Sequence, residues 1–161
     1  MTTRDMENAT KKIIVEFAKT IELFDLNPLE ARLFAYMYLT GKTMTLDEMS
    51  EALGKSKTSM STSIRALADL NLVSRVWVKG VRKDVYEANA QLFNLFISSY
   101  TNKWIDALVH QQTVLKQIKD DYSKIETPVN LHSYANFSER LDYIIEFHQH
   151  VADFFKEMKE G

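Results

Sequence analysis

Cysteine is absent from the 161 residues, which rules out a disulfide framework, a thiolate zinc site and a thiol nucleophile within this sequence. Glycine and proline are scarce, at 4 and 2 residues, so few positions interrupt a helix and none builds a glycine-rich phosphate loop. Long apolar runs are missing too: no segment reaches the ~18 uninterrupted apolar residues of a membrane span. The opening MTTRDMENATKK is polar rather than apolar, so a signal peptide is not expected and the sequence reads as cytoplasmic. Neither H-E-x-x-H nor a nucleophile-elbow pattern accompanies the four histidines His110, His132, His148 and His150, and an enzyme is not expected. What remains is 45% hydrophobic and 26% charged, enough for one core plus an oligomerisation arm, with an 11% aromatic content that is generous for this length.

The most informative stretch is Lys55 to Leu67. At 100° per residue, Lys57, Thr58, Ser61, Thr62 and Arg65 fall on one arc of a helix and Met60, Ile64 and Leu67 on the other. Ser56 is a good N-cap, because its hydroxyl accepts a bond from a first-turn amide that has no helical partner. Serines and threonines lower helix propensity by competing for backbone hydrogen bonds, so a merely solvated helix has little use for so many. A helix lying in a DNA groove does: short hydroxyls reach phosphates and base edges while letting the backbone approach, and Lys57 and Arg65 add charge. The candidate DNA-binding residues are therefore Lys57, Thr58, Ser59, Ser61, Thr62 and Arg65.

Charge supports this. The net −2 conceals a division, since Lys55 to Lys83 holds seven basic residues and one acid for +6, leaving −8 elsewhere.

Taken in order, residues 5–24 carry a helical stripe (Ile13, Ile14, Phe17, Ile21, Phe24). Asn27 caps a second helix with Pro28 in its first turn, ending near Gly41. Thr45 and Glu48 form an S/T-x-x-E capping box for a short third helix closed by Gly54. The helix capped by Ser56 completes a helix-turn-helix. Next, Leu72–Val78 and Asp84–Ala88 read as two strands of a hairpin, a wing whose tip residues Lys79, Arg82 and Lys83 join the DNA-binding set. From Asn89 to about Ile125 runs a long helix; Pro128 breaks the chain; a last helix starts near Ser133 or Ser138. Its Phe137, Leu141, Ile144, His148, Val151, Phe155 and Met158 recur at alternating four- and three-residue steps, a heptad seam for homodimerisation. The expected fold is mainly α: a winged helix-turn-helix domain (27–88) between an N-terminal helix (1–26) and a helical region (89–161), the two flanks forming a dimerisation layer. A two-fold dimer then reads an inverted repeat in duplex DNA.

With these residues in view, the run Ser56-Lys57-Thr58-Ser59-Met60-Ser61 followed by Trp77 to Tyr86 (WVKGVRKDVY) resembles the GbsR-type branch of the MarR-like winged-helix regulators. The family's name comes from a choline-sensing repressor of glycine-betaine synthesis. The resemblance implies a dimeric DNA-binding regulator, in some members a repressor of osmoprotectant synthesis or uptake that responds to choline. It also gives a meaning to Phe93, Phe96, Tyr100 and Trp104, which otherwise read as core at helical spacing: a quaternary ammonium is best held by aromatic faces, and Phe96, Tyr100 and Trp104 are the candidate cage.

Two other chemistries fit parts of the sequence. Asp142, Glu146 and His150 share one helix side at i, i+4 and i+8 and could ligate a metal, but the line reads more simply as the solvated side, and no metal or cofactor is expected. A protein-interaction adaptor could also use a winged helix and a helical arm; it calls for exposed aromatic or aliphatic anchors, and none lies between Lys57 and Arg65.

Overall fold

The computed structural model describes residues 2–124 and 131–160, the side chains of 131–134 excepted. Six helices and one hairpin follow in the order α1 (Thr3–Glu22), α2 (Pro28–Thr40), α3 (Leu46–Leu53), α4 (Lys57–Asp69), β1 (Val73–Val76), β2 (Val85–Ala88), α5 (Leu92–Ser123) and α6 (Leu131–Glu160). They fall into two compact units, Met1–Phe96 and Ile97–Gly161.

Helix starts in the first unit are set by local chemistry. α1 begins two residues before the apolar stripe suggests, because Thr2 and Asp5 form a capping box: Asp5 N–H donates to Thr2 Oγ1 at 3.2 Å and Thr2 N–H donates to Asp5 Oδ2 at 3.0 Å. The Thr2 amide and, at 2.8 Å, the Thr2 hydroxyl both donate to Asp5 Oδ2, which favours the ionised carboxylate and lowers the Asp5 pKa. Asn27 and Glu30 cap α2 in the same reciprocal way, with Pro28 in the first turn, and Thr45 and Glu48 cap α3. α3 stops at Gly54, whose φ of +65° a β-carbon would disfavour; this residue makes the turn of the helix-turn-helix.

The caps place the apolar faces. Ile14, Ala18 and Ile21 of α1 pack on Ala31, Leu33, Phe34, Ala35 and Met37 of α2, and these meet Met49 and Leu53 of α3, then Met60, Ile64 and Leu67 of α4. At roughly 1.5–3 kcal/mol per fully buried large aliphatic or aromatic side chain, this layer dominates the unit's stability. α1 is thus a structural part of the winged unit, as is Phe96 from the start of α5.

After α4 the chain turns at Asn71, in the left-handed region at φ 61°, and enters the hairpin. β1 and β2 pair antiparallel, Val73 with Ala88 and Val76 with Val85, and Met44 adds an isolated bridge to Tyr86. The ladder is shorter than the alternation in Leu72–Val78 suggests. Pairing ends at Val76, and beyond it a turn bonds Val81 N–H to the Val78 carbonyl at 3.1 Å, with Gly80 at φ +81°.

The second unit is an antiparallel helix pair. Tyr122 meets Phe137, Lys119 pairs with Asp142, Gln112 donates to the Ile145 carbonyl (3.3 Å) and Gln149 Oε1 (3.1 Å), Trp104 stacks on Phe155, and Lys159 donates to Asn102 at 2.7 Å. The expected break at Pro128 lies outside the described residues.

Candidate nucleic-acid interface

α4 presents the two chemistries expected of it. Met60, Ser63, Ile64 and Leu67 are buried, whereas Lys57, Thr58, Thr62 and Arg65 are exposed and Ser61 is half-buried. Ser59 differs from its neighbours. Its amide donates to the Ser56 hydroxyl at 3.1 Å and its own hydroxyl accepts from that of Ser56 at 2.9 Å, so Ser59 helps fasten the helix start and is itself half-buried. Thr62 donates its proton to the Thr58 carbonyl at 3.2 Å, which leaves the oxygen outward as an acceptor. The free arc is therefore Thr58, Ser61, Thr62 and Arg65, with Lys57 at its beginning.

The wing carries Lys79, Arg82 and Lys83 in its loop, all exposed. A shallow cavity of about 330 Å³ lies between Arg75, Trp77, Val81, Arg82 and Asp84. Trp77, 82% exposed, projects from the same loop. Sequence alternation counts Trp77 as a strand residue; because the ladder ends one position earlier, its indole has no facing strand to cover it.

Electrostatics separate the basic residues into two groups. Lys57 Nζ lies 3.3 Å from one oxygen of Asp47, and the other oxygen holds Lys83. Arg75 pairs with Asp84 across the hairpin. The hydrogen bond from Lys83, followed by that from Lys57, lowers the Asp47 pKa, while hydrogen bonds to Asp47 and Asp84 raise those of Lys83 and Arg75. Lys55, Arg65, Lys79 and Arg82 have no ion-pair partner among the described residues. The basic segment read from the sequence thus keeps four uncommitted cations out of seven. Both neutralising acids, Asp47 and Asp84, sit just outside that segment, and Asp47 is brought to it only by the fold.

The aromatic residues of α5 have different surroundings within each unit. Phe96 is buried in the first unit, its ring 4.9 Å from that of Phe24 and 5.4 Å from that of Phe34. Tyr100 and Trp104 lie together, centroids 6.1 Å apart, and Trp104 stacks on Phe155 at 5.4 Å while remaining 40% exposed. Phe93 is exposed.

On α6 the heptad pattern resolves into two seams. Leu141 and Phe155 are half-buried, Ile145 and Ala152 fully buried, and Phe155 faces Trp104 of the partner helix α5. Ile144, Phe147, Phe154 and Met158 are exposed; Val151, half-buried, falls on the same stripe, as does exposed Phe137, whose ring also meets Tyr122. Phe147 and Phe154, the largest side chains of this outer stripe with Phe137, escape a reading that follows a single period, because that period passes through their neighbours His148 and Phe155. His148 Nδ1 bonds the Ile144 carbonyl at 2.8 Å. Asp142 pairs with Lys119, and among the described residues no three His, Asp or Glu side chains gather as a metal site would require. No described helix is long and apolar enough to cross a membrane.

A helix-turn-helix with a basic two-stranded wing, flanked by long helices, defines the winged helix-turn-helix class. No family model matches the chain. Two proteins of Bacillus subtilis (strain 168), the HTH-type transcriptional repressors OpcR and GbsR, are each 32% identical to it over 120 residues, 74% of this chain. The match spans 65% of OpcR and 66% of GbsR, so the chain covers just under two thirds of these relatives. A third protein of that strain, the putative HTH-type transcriptional regulator YvaV, is 29% identical over 165 residues, covering 94% of this chain and 93% of YvaV. Among solved structures, the crystal structure of a transcriptional regulator superposes with a TM-score of 0.66 over 94% of this chain and 96% of the other, at 17% identity, which shows the shared fold. The chain is thus similar over most of its length to the helix-turn-helix transcriptional regulators OpcR, GbsR and YvaV. These relatives are regulators, not enzymes.

Proposed function

We propose that the protein is a cytoplasmic, sequence-specific DNA-binding transcriptional regulator, acting as a repressor. The observation that carries this reading is the free arc of Thr58, Ser61, Thr62 and Arg65 on a helix whose other face is fully packed, set beside a wing with uncommitted cations. Thr58, Ser61 and Thr62 meet base edges; Lys55, Arg65, Lys79 and Arg82 meet phosphates. Selection from a pool of random duplexes tests it. Purified protein is expected to enrich an inverted repeat with half-sites about one helical turn, ~10 bp, apart or a multiple of that. Failure to enrich any sequence, or to retain duplex DNA at about 50 mM salt, where electrostatic binding is strong, refutes it.

The reading includes a homodimer. Ile144, Phe147, Phe154 and Met158 form an exposed apolar stripe along α6, and a second copy meeting it about a two-fold axis would bury it and supply the second recognition helix. It also includes regulation of osmoprotectant genes by choline, supported by kinship to GbsR and by Tyr100 and Trp104, a tilted aromatic pair with Trp104 still accessible. Choline at millimolar concentration should weaken binding to the selected duplex in the wild type and not in Trp104→Ala. Unchanged affinity removes choline as the effector; equal release from Trp104→Ala removes the Trp104 site.

One observation favours the adaptor reading: Trp77 and Val81 are exposed on the wing, where a partner protein could seat them. Lys79, Arg82 and Lys83 around them suit a polyanion better, and a wing entering a minor groove places apolar groups against sugars.

A further inference from the structure

Asp47 stands in the first turn of α3, outside both DNA-contacting elements, yet it touches each of them. One of its oxygens is 3.3 Å from Nζ of Lys57, the first residue of the recognition helix, and the other holds Lys83 of the wing. Thirty-six positions separate Asp47 from Lys83, so only the folded domain creates this pair. All three side chains are roughly half or more exposed, at 47%, 60% and 66%, which makes the contacts exchangeable: a phosphate oxygen arriving at either lysine competes directly with the carboxylate. The hydrogen bonds from Lys83 and Lys57 keep the carboxyl ionised through the neutral range.

We propose that Asp47 is a specificity-determining positioning residue of the DNA interface, yoking recognition helix to wing and withholding Lys57 and Lys83 from DNA whose sequence does not match. The inference rests on the DNA-binding reading above. A cation gives the same phosphate contact on every sequence, so each free lysine raises affinity for all duplexes alike. Occupying two of them with an internal carboxylate lowers the sequence-independent part of binding. On a matching duplex, base contacts by Thr58, Ser61 and Thr62 draw α4 into the groove, and phosphates then displace Asp47 from Lys57 and Lys83. Discrimination is thereby increased, because the exchange is driven only where base contacts exist.

The test uses the full chain, the duplex selected by the wild type and a scrambled duplex of equal length, with affinities measured across a salt series. Asp47→Asn is expected to bind the scrambled duplex about tenfold more tightly at low salt and the selected duplex by clearly less. Its log-affinity against log-salt slope on the scrambled duplex should steepen by about 1–2 per protomer, since each recovered phosphate contact contributes ~0.9. Asp47→Glu should restore wild-type behaviour. Glu51→Gln is the control for charge: it removes the same unit charge from the same helix, is exposed, and has no ion pair among the described residues. Equal effects of Asp47→Asn and Glu51→Gln, or an unchanged slope, overturn the proposal. Should Asp47→Asn fail to fold, Lys83→Gln and Arg82→Gln decide the matter, because Lys83 is occupied and Arg82 is not. Lys83→Gln should leave scrambled-duplex affinity within about twofold of wild type while Arg82→Gln lowers it, and equal losses overturn the proposal. A wild-type chain that binds neither duplex refutes the regulator reading itself, and the role of Asp47 with it; wild-type discrimination with no response to Asp47 refutes only the latter.

Discussion

Removing one wing cation gives the sharpest check on how the interface is charged. Arg82 is exposed and has no ion-pair partner among the described residues, whereas Lys57, Lys83 and Arg75 of the same basic segment are held by Asp47 and Asp84. Counting only Lys55, Arg65, Lys79 and Arg82 as phosphate contacts, counterion release at ~0.9 per contact gives a slope of about −3.6 per protomer on non-matching DNA, or about −7 for a dimer with both recognition helices engaged. All seven cations of the segment would give about −6 per protomer. Arg82→Ala should lower affinity for every duplex and reduce the magnitude of the slope by ~0.9 per protomer, leaving the order of sequence preference intact. Fluorescence anisotropy with labelled duplexes from about 50 to 300 mM salt measures both quantities. Two results would refute the reasoning: a wild-type slope near the seven-cation value on scrambled DNA, which would mean the ion pairs do not withhold their lysines, or a change in sequence preference with no change in slope, which would make Arg82 a base reader.

Other outcomes follow from the same geometry. Phe147→Asp or Phe154→Asp, on the outer stripe of α6, should convert a dimer to a folded monomer in light scattering, because these side chains are 61% and 59% exposed within one chain; a wild-type monomer at micromolar concentration would contradict the dimer. Met60→Ala, at a fully buried position under the recognition helix, should destabilise the first unit by about 2–5 kcal/mol in denaturant melts. Thr58→Ala, at an exposed position, should leave the melt unchanged and alter sequence preference. In a Trp104→Phe background Trp77 is the sole indole, and duplex DNA should shift or quench its emission if the wing enters a groove; emission indifferent to saturating DNA would place the indole away from the interface. Asp47 is stabilised in its ionised form, so its pairs are intact above the ordinary carboxylate range and are lost only as pH falls through the lowered folded value. DNA affinity should accordingly show no Asp47-dependent step between about pH 5 and 8, and such a step near neutrality would contradict the pairing.

Local chemistry made much of this protein readable in advance. Asn27, Thr45, Ser56, Gly41 and Gly54 start and stop three helices through interactions within a few residues of each, and the arcs of α4 follow from 3.6-residue periodicity alone. The class of the wing was legible for the same reason: two β-rich runs joined by a short basic loop have few other ways to pair. Decisions left to tertiary structure are those that depend on which distant groups meet. Phe96 belongs to a regular aromatic series on α5, but its contacts with Phe24 and Phe34 make it part of the first unit's core, which the series by itself does not reveal. The α6 stripe looks like one seam in sequence because heptad spacing does not say which side α5 will cover; packing against α5 buries Ile145 and Ala152 and leaves Phe147 and Phe154 outside. Asp47 shows the difference most clearly. In the sequence it is one of two acids that favour the positive end of a short helix, and only the placing of α3 against α4 and beside the wing turns it into the common partner of two lysines, since a charge pair is fixed by distance in space and not by position along the chain.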